Sequence, residues 1–281
     1  MSTTSSAPER NPLAGRTGPV TLNDMDTAPL LTRKRKLVAT TIVVFAFLWL
    51  NVVAYLHARA MTHFVTSGAR TGSPESLSRL RKVAVLVAGV TVPKPCNTVL
   101  PDAIGLEFEV HRFAGDCGEI EAWFIPREQS RGTVLMFHGY ASCKSVILPE
   151  AKMFHQLGYA TVVVDFRACG GSAGTNTTIG VYEADDVAAA YAYVRTRWSD
   201  ESVILFGQSM GGAAVLRAVA VHNLEPAALV LECPFDRLIG TVKNRFSVMG
   251  LPSFPFAQLL VFWGGVQQGF DGFEHNPMDY A

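Results

Sequence analysis

The sequence predicts an α/β domain with a doubly wound, mostly parallel sheet, preceded by one N-terminal transmembrane helix. Two observations favour this fold class. Four short runs that are apolar on both faces alternate with helical stretches from about residue 104 onward, and one charge-free apolar segment stands near the N-terminus. Continuous apolar runs are typical of central parallel strands that helices cover on both sides.

The N-terminal helix is predicted from its length and its lack of charge. Leu37 to Leu56 form a 20-residue run without a charged residue, in which Asn51 is the only strongly polar side chain. At about 1.5 Å per residue such a helix spans roughly 30 Å, the thickness of the hydrocarbon core of a bilayer. A buried core helix is the alternative. The length of the run and its lack of charge favour the membrane span over that alternative. We therefore expect the chain to contact a membrane through residues 37–56.

The flanking charges predict the orientation of this helix. Arg33 to Lys36 precede it, whereas only His57 and Arg59 follow it closely. The positive-inside rule places the N-terminus in the cytoplasm and the bulk of the chain outside it. A cleaved signal peptide would fit the Ala58-Arg59-Ala60 site, but the leading region is long for one. We expect a disordered tail over 1–32, a signal-anchor over 33–60, a linker over 61–103 and the α/β domain over 104–281.

The composition argues against two kinds of binding partner, nucleic acids and metal ions. The net charge is zero, which argues against a nucleic-acid partner, since such proteins usually carry a basic surplus. Five cysteines without zinc-like spacing argue against a metal site. In an extracytoplasmic domain one or two disulfides are permitted, but the sequence leaves their pairing open. Val83 to Val92 are too few to span a membrane and predict a strand or a buried linker.

The elements of the domain follow from its periodicity. Leu106–Phe113 and Glu119–Ile125 alternate apolar and polar residues and predict an antiparallel hairpin around Cys117-Gly118. Continuous apolar runs predict four central strands, and the stretches between them predict three helices. The strands are Thr133–Phe137, Ala160–Val164, Val203–Phe206 and Ala227–Leu231, and the helices are Pro149–Leu157, Val181–Trp198 and Ser209–His222.

One motif within this pattern predicts chemistry. Gly207 to Gly211 read G-x-S-x-G, with an apolar strand before them and a small-residue helix after them. This context is that of a nucleophile elbow, in which glycines leave room for a sharp turn that exposes the serine. Ser209 is therefore the candidate nucleophile. A tight turn with a bystander serine is the alternative.

A second loop is predicted to lie beside this turn. His138 and Gly139 close the first central strand, and the C-terminal ends of neighbouring strands share one edge of the sheet. The backbone N–H groups of Met210 and Tyr140 are the candidate oxyanion donors. We interpret His138 as a structural loop residue rather than the catalytic base.

Four motifs together resemble the α/β-hydrolase superfamily, in particular its serine aminopeptidase and monoglyceride-lipase-like branch. They are FHGYASCKS, DFRACGGSAG, GQSMGG and LECPFDRL, in this order. The resemblance covers about residues 104–281 and implies a Ser-acid-His triad, no metal or cofactor, and hydrolysis of an ester, amide or thioester acyl substrate. Ala168 departs from the family pattern, which usually has glycine there.

The resemblance leaves the acid and the base open. Glu232 and Asp236 follow the strand after the elbow, and Asp236 is a weak acid candidate for which a helix cap is an alternative role. His222 lies too far along the helix from Ser209, so His275 is the remaining, weak base candidate. In the family the acid strand and the histidine loop come after the position of Ala281, so we expect an incomplete domain that lacks its C-terminal strands.

Three alternatives follow from this expectation. The sequence is cut short from an anchored hydrolase, or it is a short non-catalytic protein that binds an acyl ligand or a partner, or it is a short enzyme. The third alternative uses His275 or a histidine from another subunit. The segment Leu251–Phe270, which includes Phe254, Phe256, Phe262 and Trp263, predicts either the lining of an acyl pocket or a core helix.

Overall fold

The computed structural model describes residues 27–72, 76–198 and 202–281. The chain divides into two compact units, Met1–Leu48 and Trp49–Ala281. Helix α1 begins in the first unit and ends in the second. The helices are α1 (Thr27–Thr62), α2 (Arg79–Ala88), α3 (Leu148–Gln156), α4 (Glu183–Arg197), α5 (Met210–His222), α6 (Leu238–Val248) and α7 (Phe256–Gln268). The strands are β1 (Glu109–Gly115), β2 (Gly118–Ile125), β3 (Thr133–Phe137), β4 (Ala160–Val164), β5 (Val203–Gln208) and β6 (Ala228–Glu232).

Helix α1 contains the predicted membrane span. Its segment Thr32–Thr62 is long and apolar enough to cross a membrane, with a mean hydropathy of 2.3 over its most apolar 18 residues. The predicted disordered tail, residues 1–32, lies mostly outside the described residues, and its last six residues belong to α1. The structure thus provides a candidate anchor helix that starts before the basic cluster at Arg33.

The sheet has six strands in the order β1-β2-β4-β3-β5-β6. The first two form the predicted antiparallel hairpin, in which Gly115 pairs with Gly118. β2 pairs antiparallel with β4, and the remaining neighbours pair in parallel. Parallel pairing of β3, β4 and β5 brings their C-terminal ends to one edge, where the site described below is built.

The core lies on both faces of this sheet. Leu135 and Phe137 of β3 pack in a cluster with residues of α4 and α5, whereas Val134 and Met136 pack in a cluster with residues of α3. Side chains alternate between the two faces because successive Cβ atoms of a strand point in opposite directions. The doubly wound α/β fold class predicted from the apolar runs is confirmed.

Strand β6 differs from the other parallel strands in its exposure. It stands at one end of the strand order, and four of its five residues are exposed, whereas every residue of β3 and β4 is buried. An outermost strand has backbone donors and acceptors that no neighbouring strand satisfies.

Two regions differ from the sequence-based expectation. Val83–Val92 is not a strand, because residues 83–88 belong to α2. Ser78 caps this helix by accepting a hydrogen bond from the N–H of Arg81, at 3.4 Å, and Gly89 follows its end at a φ of 90°. Helix α6, after β6, was not predicted. All five cysteines are free.

Candidate active site

Ser209 lies at the junction between β5 and α5, as the motif predicts. Its backbone has a φ of 50° and a ψ of −111°, an uncommon conformation for a residue with a side chain. The residue is exposed, although Gly207 and Met210 on either side are buried. The turn therefore presents the hydroxyl at the edge of the sheet, which a nucleophile requires.

The two glycines of the motif are required by close backbone contacts. A Cβ on Gly207 would lie 2.6 Å from the carbonyl carbon of Gly211, and a Cβ on Gly211 would lie 2.5 Å from the carbonyl oxygen of Phe137. Distances this short are not tolerated between a Cβ and backbone atoms, so any side chain at either position would displace the elbow. The motif thus fits a geometric need of this turn.

The loop after β3 lies against the elbow. A Cβ on Gly139 would stand 3.6 Å from the Cβ of Ser209, so the two backbones are near neighbours. Met210 is the first residue of α5, whose N–H has no acceptor inside the helix. Among the described residues, the N–H groups of Met210 and Tyr140 have no hydrogen-bond acceptor. Both predicted oxyanion donors are therefore available to a ligand.

His138 holds this loop in place. Its Nε2 accepts a hydrogen bond from the N–H of Phe166, at 3.1 Å, and its Nδ1 donates to the carbonyl of Gly139, at 2.8 Å. Burial lowers the pKa of His138, so the ring is neutral at pH 7. A buried neutral ring with both nitrogens engaged fits the structural role that we predicted.

The side chain of Tyr140 connects the same loop to the end of α1. Its hydroxyl donates a hydrogen bond to the carbonyl of Met61, at 2.6 Å, and its ring contacts that of Phe64 with centroids 6.3 Å apart. Burial raises the pKa of Tyr140. The phenol is therefore a neutral, donating group at every physiological pH.

The acid candidates lie at the C-terminal end of β6. Ser209 N–H donates to the carbonyl of Glu232, at 2.8 Å, which ties the elbow to this strand. Asp236 is exposed, and its carboxylate accepts a hydrogen bond from the N–H of Arg237, at 2.7 Å. That bond to the next residue is typical of a local turn or cap.

His275 is buried and bonded away from the nucleophile. Its Nε2 contacts the carbonyl oxygen of Ile179 at 3.0 Å, and its Nδ1 is buried without a partner among the described residues. Burial, with a smaller contribution from the nearby Arg217, lowers its pKa to about 4, so the ring is neutral at pH 7. The structure thus gives His275 the protonation state of a base but not a hydrogen bond to Ser209.

The Ser209 hydroxyl itself has no hydrogen-bond partner among the described residues. His222, the other histidine that follows Ser209 in the sequence, bonds instead to the carboxylate of Asp185 at 2.9 Å. A serine hydroxyl without an adjacent base is a weak nucleophile at neutral pH. The described residues therefore hold the elbow and the candidate oxyanion donors in place but do not assemble a triad.

A buried carboxylate near the elbow was missed by the sequence analysis. Glu183 accepts four hydrogen bonds, from the hydroxyls of Thr177 and Thr178 and from the N–H groups of Thr178 and Gly180, at 2.6–2.9 Å. The Thr177 hydroxyl also lies 3.8 Å from the sulfur of Met210. The threonine pair five residues before an acidic helix start is the signal that could have indicated it.

A second buried network supports the loops at this edge. Lys144 is fully buried, and its ammonium group bonds to the carboxylates of Asp165 and Glu121 while lying 4.5 Å from the centroid of the Trp123 ring. Burial alone would raise the pKa of Asp165, but Lys144 more than offsets this and keeps it below its usual value. The carboxylate is therefore ionised and holds the loop after β4 to the loop after β3.

Ala168 lies in that loop with a φ of 61°, a left-handed conformation that glycine adopts at no steric cost. Alanine thus adopts here the left-handed conformation that the glycine of the family motif would permit. Its side chain is buried in a small cluster with Phe64 and Cys169.

Comparisons with known proteins agree with this geometry. Residues 128–259 match the family model described as serine aminopeptidase, S33. The protein bem46 of Schizosaccharomyces pombe is 28% identical over 159 residues, which cover 55% of this chain and 53% of that protein. The lysophosphatidylserine lipase ABHD12 of Macaca fascicularis is 30% identical over 140 residues, covering 47% of this chain and 34% of the lipase.

Solved structures share the fold. A structure of the Pyrococcus furiosus esterase Pf2001 superposes with a TM-score of 0.53 at 22% identity, over 67% of this chain and 71% of the esterase. The chain spans about half the length of the first curated relatives it matches. The strand order and the Ser209 elbow show the α/β-hydrolase fold, and residues 128–259 are similar to its serine aminopeptidase-like branch.

Proposed function

We propose that this protein is a membrane-anchored serine hydrolase that cleaves an ester, amide or thioester through an acyl-enzyme on Ser209. The observation that carries the proposal is the elbow, where an exposed serine at a φ of 50° stands beside two unpaired N–H groups. The similarity to a family of hydrolases supports hydrolysis in general. The acyl-enzyme step and the anchor are the parts that need testing.

The proposed reaction uses the groups at the edge of the sheet. Ser209 Oγ attacks the acyl carbon while a base takes its proton, and the N–H groups of Met210 and Tyr140 stabilise the resulting oxyanion. The tetrahedral intermediate expels the alcohol, amine or thiol, which takes up the proton. Water then attacks the acyl-serine, releasing the carboxylic acid and restoring the hydroxyl. Loss of one oxyanion donor typically costs about 3 kcal/mol of barrier.

The base and the acid remain proposals with weaker support. His275 is neutral at pH 7 but would have to leave Ile179 to reach Ser209, and Asp236 would have to leave its local turn. A histidine from a second subunit would serve equally well. Both arrangements keep Ser209 as the nucleophile.

An ester is the first substrate class to test. Among the relatives, ABHD12 carries the name of a lipase and Pf2001 that of an esterase. Residues 37–56 would hold the hydrolase domain at the membrane surface, with the N-terminus in the cytoplasm and the domain on the opposite side. Lipid esters are substrates that such an anchor would bring within reach.

The test is labelling of the 281-residue chain in detergent with a fluorophosphonate probe, which reacts with activated serines. We expect labelling that disappears in Ser209→Ala and persists in Ser247→Ala, which changes an exposed serine of α6. Labelling that survives in Ser209→Ala would contradict the proposed nucleophile. A His275→Ala variant distinguishes the bases, since full labelling in it would exclude His275.

A non-catalytic binding protein is the second candidate function. It is favoured by the Ser209 hydroxyl, which has no partner among the described residues, and by the bond that engages His275 with Ile179. A folded, monodisperse sample that the probe does not label would support this candidate.

A further inference from the structure

The end of α1 packs against α7 through polar contacts. Trp263 Nε1 donates a hydrogen bond to the side-chain oxygen of Asn51, at 3.1 Å, and Gln267 donates to the carbonyl of Tyr55, at 2.9 Å. The rings of Tyr55 and Trp263 meet edge to face with centroids 5.5 Å apart. Both pairs are four residues apart on each helix, so the two helices run in the same direction over this turn.

Asn51 and Tyr55, which make these contacts, belong to the apolar run that is predicted to cross the membrane. The apolar run between Lys36 and His57 is 20 residues long, about the minimum for a bilayer. If the span ended before Asn51, only 14 residues would remain, and at about 1.5 Å per residue they would cover roughly 21 Å of a core about 30 Å thick. Asn51 and Tyr55 therefore lie at membrane depth if α1 crosses the bilayer, and so does the part of α7 that contacts them.

Helix α7 has the composition that this position requires. Phe246 to Phe270 contain no charged residue, and α7 itself contains none. Its buried face carries Ala257, Val261 and Gly265, whereas Phe262 and Val266 on the other face are 48% and 57% exposed. A helix that exposes large apolar side chains one turn apart has a face suited to an apolar partner.

The polar side chain of the span has a partner at this interface. Asn51 is the only strongly polar residue of the span, and its side-chain oxygen accepts the hydrogen bond from Trp263. An amide left without a hydrogen bond in hydrocarbon would cost on the order of several kcal/mol, and this hydrogen bond avoids that cost. Tyr55 and Trp263 are of the residue types that are enriched at membrane–water boundaries.

We propose that α7 is a second membrane-contacting element, which inserts its Phe262–Val266 face into the same leaflet as the C-terminal half of the α1 span. The proposal rests on the membrane anchor of the proposed function. It commits to the acyl chains of a bilayer as the partner of this face. A mostly apolar cleft of about 400 Å³ is lined by Phe262, Val266 and Phe270 among others, and by Asp271, which follows the end of α7 on the side of Gln267. Its α7 side would face the lipid, with Asp271 towards the membrane surface.

Depth-dependent fluorescence quenching tests this proposal on the full chain in phosphatidylcholine vesicles. The exposed residues Cys96, Cys117 and Cys233 are first replaced by serine, and the buried Cys143 and Cys169 are kept. Single cysteines are then introduced and labelled with an environment-sensitive fluorophore. Nitroxide-bearing lipids, with the nitroxide near either end of the acyl chain, serve as quenchers.

Four labelled positions give the answer. The variants are Phe262→Cys and Val266→Cys on α7, Phe45→Cys on α1 as the anchor reference, and Met153→Cys on α3 as an exposed control. We expect loss of emission at both α7 positions, with the Val266 label quenched more by the shallow nitroxide and the Phe262 label more by the deeper one. The control on α3 keeps its emission.

Two further outcomes overturn the proposal in different ways. If the Phe45 label is quenched while both α7 labels behave like the Met153 control, the anchor stands and the insertion of α7 is wrong. If the Phe45 label is not quenched either, the anchor of the proposed function fails and this inference fails with it. Fluorophosphonate labelling of Ser209 is independent of both results.

Discussion

The residue scale is where the nucleophile turn imposes its strictest requirements. Gly211 is the clearest case, because a Cβ there would lie 2.5 Å from the carbonyl oxygen of Phe137 and 2.8 Å from that of His138. Both atoms belong to backbone that also carries the loop of Tyr140. A side chain at Gly211 would therefore disturb the elbow and the oxyanion loop together.

A matched pair of glycine substitutions tests this requirement. We expect Gly211→Ala to lower the free energy of unfolding by about 1–3 kcal/mol, because overpacking against backbone exceeds the gain in helix propensity. Gly264→Ala is the control, since a Cβ there meets nothing within 4 Å, and it should be neutral or stabilising. Thermal unfolding in detergent measures both. Equal effects of the two substitutions would contradict the steric argument.

His275 makes a prediction about pH at the same scale. Its pKa is lowered to about 4 in the folded chain, against an ordinary value of 6.5, so the unfolded chain binds more protons between these two values. Stability should therefore fall as the pH drops from about 6.5 towards 4, by at most about 3 kcal/mol from this residue. Thermal unfolding of wild type and His275→Gln at several pH values measures this contribution.

The His275→Gln variant should lose part of this pH dependence rather than all of it. Burial also lowers the pKa of His138, which remains in the variant and adds a dependence of the same sign. An unchanged slope of stability against pH in His275→Gln would show that His275 does not titrate below its ordinary range.

At the scale of elements, the end of α1 is joined to the oxyanion loop. The Tyr140 hydroxyl donates to the carbonyl of Met61, Thr177 N–H donates to the carbonyl of Thr62, and Phe64 N–H donates to that of Thr175. These bonds attach the chain that leaves the candidate anchor directly to loops beside Ser209. Helix α1 is thus joined directly to the loops that support the candidate site.

A tyrosine pair tests how much this junction contributes. We expect Tyr140→Phe to lower the free energy of unfolding by about 1 kcal/mol, because the carbonyl of Met61 loses its buried donor. Tyr191→Phe removes a similar bond, to the carbonyl of Glu225 at 2.8 Å, from an exposed position and should cost less. Thermal unfolding compares the two variants. A larger loss in Tyr191→Phe would contradict the importance assigned to the junction.

The helices and strands that a local sequence pattern determines were predicted well, and the others were not. β3 and β4 match their apolar runs residue for residue, and β6 is shifted by one residue from the predicted Ala227–Leu231. Continuous burial on both faces leaves little freedom in such runs. The run Val83–Val92 was misjudged because the cap at Ser78 and the basic residues before it favour a helix, whereas its apolar content fits several structures.

The site was predictable only in its local part. The sequence context of Ser209 and Met210 was enough to place them at one turn, because a strand, a turn and a helix adjoin directly. Tyr140 was expected nearby because neighbouring parallel strands end at one edge of the sheet. Glu183, Lys144 and Asp165 were missed because their partners come from separate loops. The positions of His275 and Asp236 depend on long-range packing, which no local pattern encodes.

On the scale of the whole molecule, helix α7, which contains no charged residue, and the candidate active site belong to the same unit of the chain. Trp49–Ala281 contains the Ser209 elbow, the end of α1 and all of α7. If the face of α7 enters the bilayer, the hydrolase domain is held at two points, and its tilt relative to the membrane is restricted. A substrate that resides in the membrane would then meet the site in a preferred orientation.

The bond between Ser209 N–H and the carbonyl of Glu232 has a consequence for local stability. It attaches the serine to β6, the outermost and most exposed strand at that end of the sheet, rather than to the fully buried β3. Edge strands open more often than central ones, with a smaller free energy than global unfolding. The backbone pose of Ser209 therefore depends on β6 staying closed, so fraying of this strand would disturb the elbow before the whole fold melts.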